Sequence, residues 1–184
     1  MSYDTHAVKI GEVERDLRLF EISPGVRIAI LNILGDTELV TVAARELAQK
    51  LADVAYDVIV TAEAKSIPLA HALSAETGKP YVVLRKTYKP YMGEALESET
   101  LSITTGKPQT LYLDEKDRTL VDNQKVVIVD DVISTGSTLQ GMRLIMNKAG
   151  ADVVAEAAIF TEGDRARWHN IIALGHLPVW IDEP

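Results

Sequence analysis

Apolar positions along the chain switch between helical and strand spacing. In residues 37–52, Leu39, Ala43, Leu47 and Leu51 recur four apart, which puts them on one face of a helix. The run Asp57-Val58-Ile59-Val60-Thr61 follows and reads as a short buried strand. Residues 65–77 read as a second helix, with Pro68 in its first turn and Gly78 just past its end. Tyr81-Val82-Val83-Leu84 is the next strand, and a crossover of this size suits a parallel pair. A second unit repeats the plan. Lys125–Val129 is a near-continuous apolar strand, as expected when both sheet faces are covered. Residues 136–149 form a helix with Leu139, Met142, Ile145, Met146 and Ala149 inward, and Gly150 stands at a C-terminal cap position. Val153–Phe160 is the strand after it. The alternation predicts an α/β fold, an open and mostly parallel sheet with helices on both faces.

Two segments fall outside this pattern. Residues 1–36 hold an apolar stretch, Phe20 to Leu34, broken by a Pro24-Gly25 turn. Residues 86–108 are long and polar, and 86–104 reads as a lid, with strand expected near Leu101-Ser102-Ile103 and Thr110-Leu111-Tyr112. In the tail, 163–184, a short strand at Pro178-Val179-Trp180 is the one element expected, and Asp164-Arg165-Ala166-Arg167 reads as a solvated turn.

Composition narrows the function. At 184 residues, 47% apolar and 25% charged, the chain is an ordinary globular domain. With no cysteine, a disulfide scaffold, a thiolate metal site and a cysteine nucleophile are all excluded. No stretch approaches the ~20 apolar residues that span a bilayer, and the first residues lack an apolar signal core, so a cytoplasmic protein with no membrane partner is expected. The net charge of −8 disfavours nucleic acid as a partner but leaves room for a local cationic pocket around a small phosphorylated ligand. His6, His71, His169 and His176 show no metal-ligand spacing. Phe160 and Trp168 are expected in the core, the alternative being a base stacked on them near the carboxyl edge of the sheet.

The chemistry concentrates in Val126-Val127-Ile128-Val129-Asp130-Asp131-Val132-Ile133-Ser134-Thr135-Gly136-Ser137-Thr138. A buried strand ends in two carboxylates, a hydroxyl-rich turn follows, and a helix begins. The helix start presents unpaired amides and partial positive charge to an anion. Gly136 lets the backbone approach closely, and Ser134, Thr135, Ser137 and Thr138 add hydroxyl donors. The turn therefore reads as a cup for a phosphate monoester. Asp130 and Asp131 beside it suit sugar hydroxyls, a magnesium ion reached through water, or both.

This run resembles the 5-phosphoribosyl-1-diphosphate (PRPP) motif of the type I phosphoribosyltransferases at every position, and the likeness extends over residues 17–160. Glu63-Ala64-Lys65-Ser66 resembles the pyrophosphate loop of the adenine members, with lysine in place of their arginine. Arg85-Lys86-Thr87-Tyr88-Lys89 resembles the start of their catalytic loop, and Ser23-Pro24-Gly25-Val26 resembles part of their N-terminal hood. The resemblance implies a hood over residues 1–36 and a PRPP-binding core over 37–184. It implies transfer of a phosphoribosyl group from PRPP to a purine nucleobase, adenine first, in purine salvage. Mg²⁺, Lys65, Arg85, Lys86 and Lys89 would neutralise the leaving pyrophosphate, and Asp130 and Asp131 would hold the ribose hydroxyls. It also implies a homodimer.

Two positions depart from the adenine pattern. Thr104 stands where those enzymes carry a glutamate near the base, with Glu97 and Glu99 several residues away, and Ala29 replaces a hood arginine. The alternatives are therefore a 6-oxopurine or pyrimidine phosphoribosyltransferase, or a non-catalytic PRPP-binding regulatory protein.

Overall fold

The structure, a computed structural model, describes residues 4–101 and 108–182. In chain order the elements are β1 (Thr5–Ile10), β2 (Val13–Ser23), β3 (Val26–Ala29), α1 (Thr37–Lys50), β4 (Val58–Ala62), α2 (Ile67–Thr77), β5 (Tyr81–Leu84), β6 (Leu96–Leu101), β7 (Pro108–Leu113), α3 (Glu115–Val121), β8 (Lys125–Ile133), α4 (Ser137–Lys148), β9 (Asp152–Glu162), β10 (Ile172–Leu177) and β11 (Val179–Ile181). Short 3-10 turns lie over Pro90–Met92 and Arg165–Trp168.

The central sheet has the order β10-β9-β8-β4-β5, and every neighbouring pair is parallel. The period of two in β8 sorts its side chains between two cores. Val126 and Ile128 pack with Leu139, Met142, Ile145 and Met146 of α4. Val127 and Val129 belong instead to the core that holds Leu47 of α1 and Leu69 and Leu73 of α2. A strand covered on both faces needs an unbroken apolar run, which is what Val126–Val129 supplies. The open sheet with helices on both sides is the expected fold.

Where β8 ends differs from the sequence-based expectation. The strand runs on through Asp130 and Asp131 to Ile133, with Val132 paired to Phe160 and Ile133 to Thr161. Pairing with the long β9 holds both carboxylates inside the strand. The tail also carries more structure than expected. β10 joins the sheet edge beside β9, although its sequence contains Gly175 and His176. Gly175 is needed there, because a Cβ would lie 2.6 Å from the Phe160 ring. Phe160 itself is core, as expected.

The N-terminal strands form a separate antiparallel sheet, β1-β2-β3-β11, completed by the last strand of the chain. Arg27 ties both ends of the chain together by bonding Asp4 at 3.2 Å and Asp182 at 3.1 Å. Ala29 is buried at 3% exposure opposite Leu19, a core position.

The segment after β5 has a packed base. β6 and β7 pair antiparallel, and the Arg85 and Tyr112 backbones exchange hydrogen bonds of 2.9 and 2.8 Å that tie the hairpin to the end of β5. The hairpin lies on α4, where the Ser98 hydroxyl donates to the Gly141 carbonyl at 2.9 Å. The strand expected at Thr110–Tyr112 is present in β7. Ser102, Ile103 and Thr104 lie outside the described residues. The sequence pattern gave no sign of α3, whose first turn is capped by Asp114.

Candidate functional site

The carboxyl ends of β4, β8 and β9 meet at one edge of the sheet, where open α/β folds bind ligands. The centre of this edge is the Asp130-Asp131 pair. The Ser66 hydroxyl, at the N-terminus of α2, lies 2.6 Å from Asp130 Oδ1 and 3.1 Å from Asp131 Oδ1, and accepts from the Asp131 amide at 2.9 Å. Burial, and then the neighbouring Asp131 carboxylate, push the Asp130 carboxyl up to about 7. The Lys65 ammonium stands 2.9 Å from Asp131 Oδ2 and donates to the Leu31 carbonyl at 3.3 Å. That second contact joins the segment after β3 to the loop after β4.

Glu63 and Ala64 precede Lys65 in that loop, and the peptide between them is cis. Glu63 is bound to the start of the lid segment. Its carboxylate accepts from Arg85 Nε at 2.6 Å and from the Lys86 amide at 2.5 Å. Burial alone would raise its pKa, but the Lys86 amide and the Arg85 guanidinium together hold it below the usual range. Arg85 therefore reaches the site through Glu63. Lys86 and Lys89 are exposed, and among the described residues neither ammonium lies in an ion pair, although the Lys86 charge adds to the field that holds Glu63 down.

Ser134 to Thr138 form the cup. All of these but Ser137, together with Asp130, Val132, Ile133 and Leu139, line a small cavity of about 40 Å³. Gly136 has φ +81° directly before α4, a left-handed conformation that glycine adopts without strain. The N-cap residue of α4 is Gly136, which has no side chain to cap the helix, and the Thr135 hydroxyl accepts from the Ser137 amide at a long 3.4 Å, a contact an anion can replace. The Thr135 and Ser137 hydroxyls lie 3.1 Å apart.

Arg167 and Glu162 at this edge were not anticipated from the sequence, and Trp168, for which the core was the favoured expectation, is only partly buried here. Trp168 stands over the cup: a Cβ on Gly136 would lie 2.7 Å from its ring. Its indole N–H donates to the Glu162 carbonyl at 3.0 Å. Arg167, expected in a solvated turn, places its guanidinium 5.0 Å from the Trp168 ring centre and donates to the Thr135 carbonyl at 3.3 Å. Glu162 ends β9 at 8% exposure. A polar residue closing a buried strand is the signal that would have found it, the same signal that marked Asp130 and Asp131.

The donor set bears on metal binding. Among the described residues no group of three or more metal-ligating side chains forms. Two adjacent carboxylates fit a magnesium ion that keeps its waters and takes other ligands from a diphosphate.

Comparison with known proteins agrees with this geometry. The phosphoribosyl transferase domain model matches residues 31–173. A protein from Methanococcus voltae named hypoxanthine/guanine phosphoribosyltransferase is 37% identical over 143 residues, covering 78% of this chain and 69% of that protein. One of the same name from Methanococcus vannielii is 38% identical over 123 residues, covering 67% of this chain and 61% of that one. The chain thus spans about two thirds of the length of these relatives. Among solved structures, adenine phosphoribosyltransferase from Thermoanaerobacter pseudethanolicus superposes with a TM-score of 0.70 at 22% identity, covering 87% of this chain and 95% of that one. The Saccharomyces cerevisiae enzyme, complexed with adenine and an imino-altritol bisphosphate, gives 0.64 at 17% identity, with coverage of 92% and 93%. At such identities these likenesses show the fold. Since the family match runs over most of the sequence, across both the cup and the paired aspartates, the chain belongs to the type I phosphoribosyltransferase family.

Proposed function

We propose that this chain transfers the phosphoribosyl group of PRPP to a ring nitrogen of a purine. The C1–O bond to pyrophosphate breaks, a C1–N bond forms, and the ring N–H proton is lost. The observation that carries this reading is the glycine-led cup at Ser134–Thr138 at the start of α4, beside the Asp130-Asp131 pair. The cup takes the 5-phosphate, far from the reacting carbon, and its binding energy positions the sugar. Asp130 and Asp131 accept from the ribose hydroxyls. Lys65 lies close enough to meet the diphosphate, and Arg85 is held beside it by Glu63. Asp130 and Asp131 would hold a Mg²⁺ ion through water, and that ion would supply charge neutralisation on the leaving group. The hairpin β6–β7, anchored on α4, is the base from which residues 86–104 exclude water. The homodimer implied by the family resemblance belongs to the same proposal.

The sequence motifs favour adenine as the base. The names of the relatives at 37–38% identity favour a 6-oxopurine instead. The protein is incubated with PRPP, magnesium and adenine, hypoxanthine or guanine in turn, and pyrophosphate is measured. Release with one of them is expected and identifies the base. No release with any, while calorimetry still detects PRPP binding, would leave the regulatory reading in its place.

A further inference from the structure

A capped 3-10 turn follows β9. Asp164 starts it: its carboxylate accepts from the Ala166 amide at 2.9 Å, and its carbonyl from the Arg167 amide at 3.2 Å. The turn, Arg165–Trp168, brings Arg167 and Trp168 to the cup. Trp168 is fixed by its indole N–H on the Glu162 carbonyl at 3.0 Å, and it packs against the core that holds Met142 and Ile145 of α4. The Arg167 guanidinium stands 5.0 Å from the centre of that ring and donates to the Thr135 carbonyl at 3.3 Å. Those are the contacts of the guanidinium among the described residues, so its charge has no carboxylate partner there.

The Thr135 carbonyl belongs to the same peptide as the Gly136 N–H, and this peptide is trans. The carbonyl and the N–H of a trans peptide point to opposite sides. With the carbonyl taken by Arg167, the Gly136 N–H is turned away from the guanidinium, and among the described residues it has no acceptor. The cavity beside it has the Asp130 carboxylate in its wall and, among the described residues, no lysine or arginine. An anion there relies on amides and hydroxyls, so the direction of each amide counts. A charged donor on the carbonyl also polarises the peptide and strengthens its N–H as a donor.

We infer that Arg167, seated on Trp168, sets the Thr135–Gly136 peptide so that the Gly136 N–H donates to the 5-phosphate of the sugar. This rests on the proposed PRPP site and deepens it. Arg167 binds the far side of the peptide, so it is a positioning residue that acts through the backbone and not on the ligand. Without it the peptide can turn, because glycine restrains such a rotation less than any other residue. The glycine that admits the Trp168 ring is thus also the reason for a clamp.

The test follows one amide. Ribose 5-phosphate is titrated into the full chain carrying isotope-labelled glycine, and the Gly136 amide is read by nuclear magnetic resonance. Affinity is measured by calorimetry on the same chain and on Arg167→Met and Arg167→Lys, with melting temperatures to establish that each is folded. In the unaltered chain the Gly136 proton is expected to move downfield at saturation. In Arg167→Met, affinity is expected to fall on the order of tenfold and that shift to shrink by about half or more. Arg167→Lys, which keeps a charged donor without the planar fork, is expected to recover part of both. A full Gly136 shift in Arg167→Met, unchanged affinity, or a Gly136 amide that does not move in the unaltered chain would overturn the inference and leave the cup standing. Absence of ribose 5-phosphate binding to the unaltered chain would overturn the proposed function and this inference together. If Arg167→Met does not fold, Arg167→Lys carries the test: partial loss of both measures supports the clamp, and loss of one alone or of neither overturns it.

Discussion

The Ser66 hydroxyl lies 2.6 Å from Asp130 Oδ1 at the point where α2 begins. It also reaches Asp131 Oδ1, so one side chain links two adjacent carboxylates that burial and mutual repulsion drive apart. In Ser66→Ala those oxygens lose a buried donor. The variant is expected to be less stable by about 2 kcal/mol, the scale for a hydrogen bond to a charged group. It is also expected to bind PRPP more weakly. Urea unfolding read beside calorimetry checks both; unchanged stability would mean that the hydroxyl is dispensable to the pair.

Gly136 combines a left-handed backbone with the Trp168 ring directly above it. Alanine at this position meets both a strained φ and a contact too short for a Cβ. Gly136→Ala is expected to cost about 1–2 kcal/mol of stability and to turn the first amides of α4 away from the anion. Binding of ribose 5-phosphate, followed by calorimetry, should fall by roughly tenfold or more. The companion variant Trp168→Ala removes the contact but not the strain, and should rescue only part of the stability.

Gly141 lies inside α4, where a side chain would usually improve the helix. Here a Cβ would be 3.1 Å from the Leu111 side chain and 3.5 Å from Thr100. The glycine lets the β6–β7 hairpin lie against the helix. Gly141→Leu is expected to push the hairpin off, at a cost of about 1–3 kcal/mol. Hydrogen exchange at the amides of β6 and β7 should quicken while that of β4 and β8 is retained. Uniform protection would show that the hairpin tolerates the larger side chain.

Asp36 caps α1 through the Leu39 amide at 3.1 Å and pairs with Arg15 of β2 at 2.7 Å. The Arg15 hydrogen bond holds its carboxyl below the usual range, against burial, with help from the Leu39 amide. A lowered pKa contributes stability above the unfolded value of about 3.9, lost as pH falls through the folded value. Asp36→Asn keeps a capping oxygen and loses the charge. Its melting temperature should lie below that of the unaltered chain at pH 7, and the gap should close below about pH 4. A gap independent of pH would assign the effect to the cap rather than to the charge.

Much of this fold was legible because its strongest signals are local. The unbroken run Val126–Val129 can only be a strand covered twice, and Gly78 and Gly150 mark helix ends by their left-handed backbones. The PRPP motif was readable for the same reason: strand, carboxylates, turn and helix start are contiguous, so chain order alone sets their geometry. Non-local features gave no such signal. β10 looks like a loop because Gly175 serves Phe160 on the neighbouring strand. The short strand expected at Pro178–Trp180 is present as β11, but nothing local names its partner, β3, at the opposite end of the chain.

From its sequence alone this protein is an α/β domain with a phosphate cup and two acids, since period, cap and motif act over a few residues. Only the tertiary structure decided which distant groups serve that cup. Folding brings Ser66 under the acids, Arg167 and Trp168 over the glycine, and Lys65 between Asp131 and the Leu31 carbonyl. The carboxyl ends of parallel strands converge at one edge of the sheet, so groups far apart in the chain become neighbours there, and that convergence leaves no trace in local spacing.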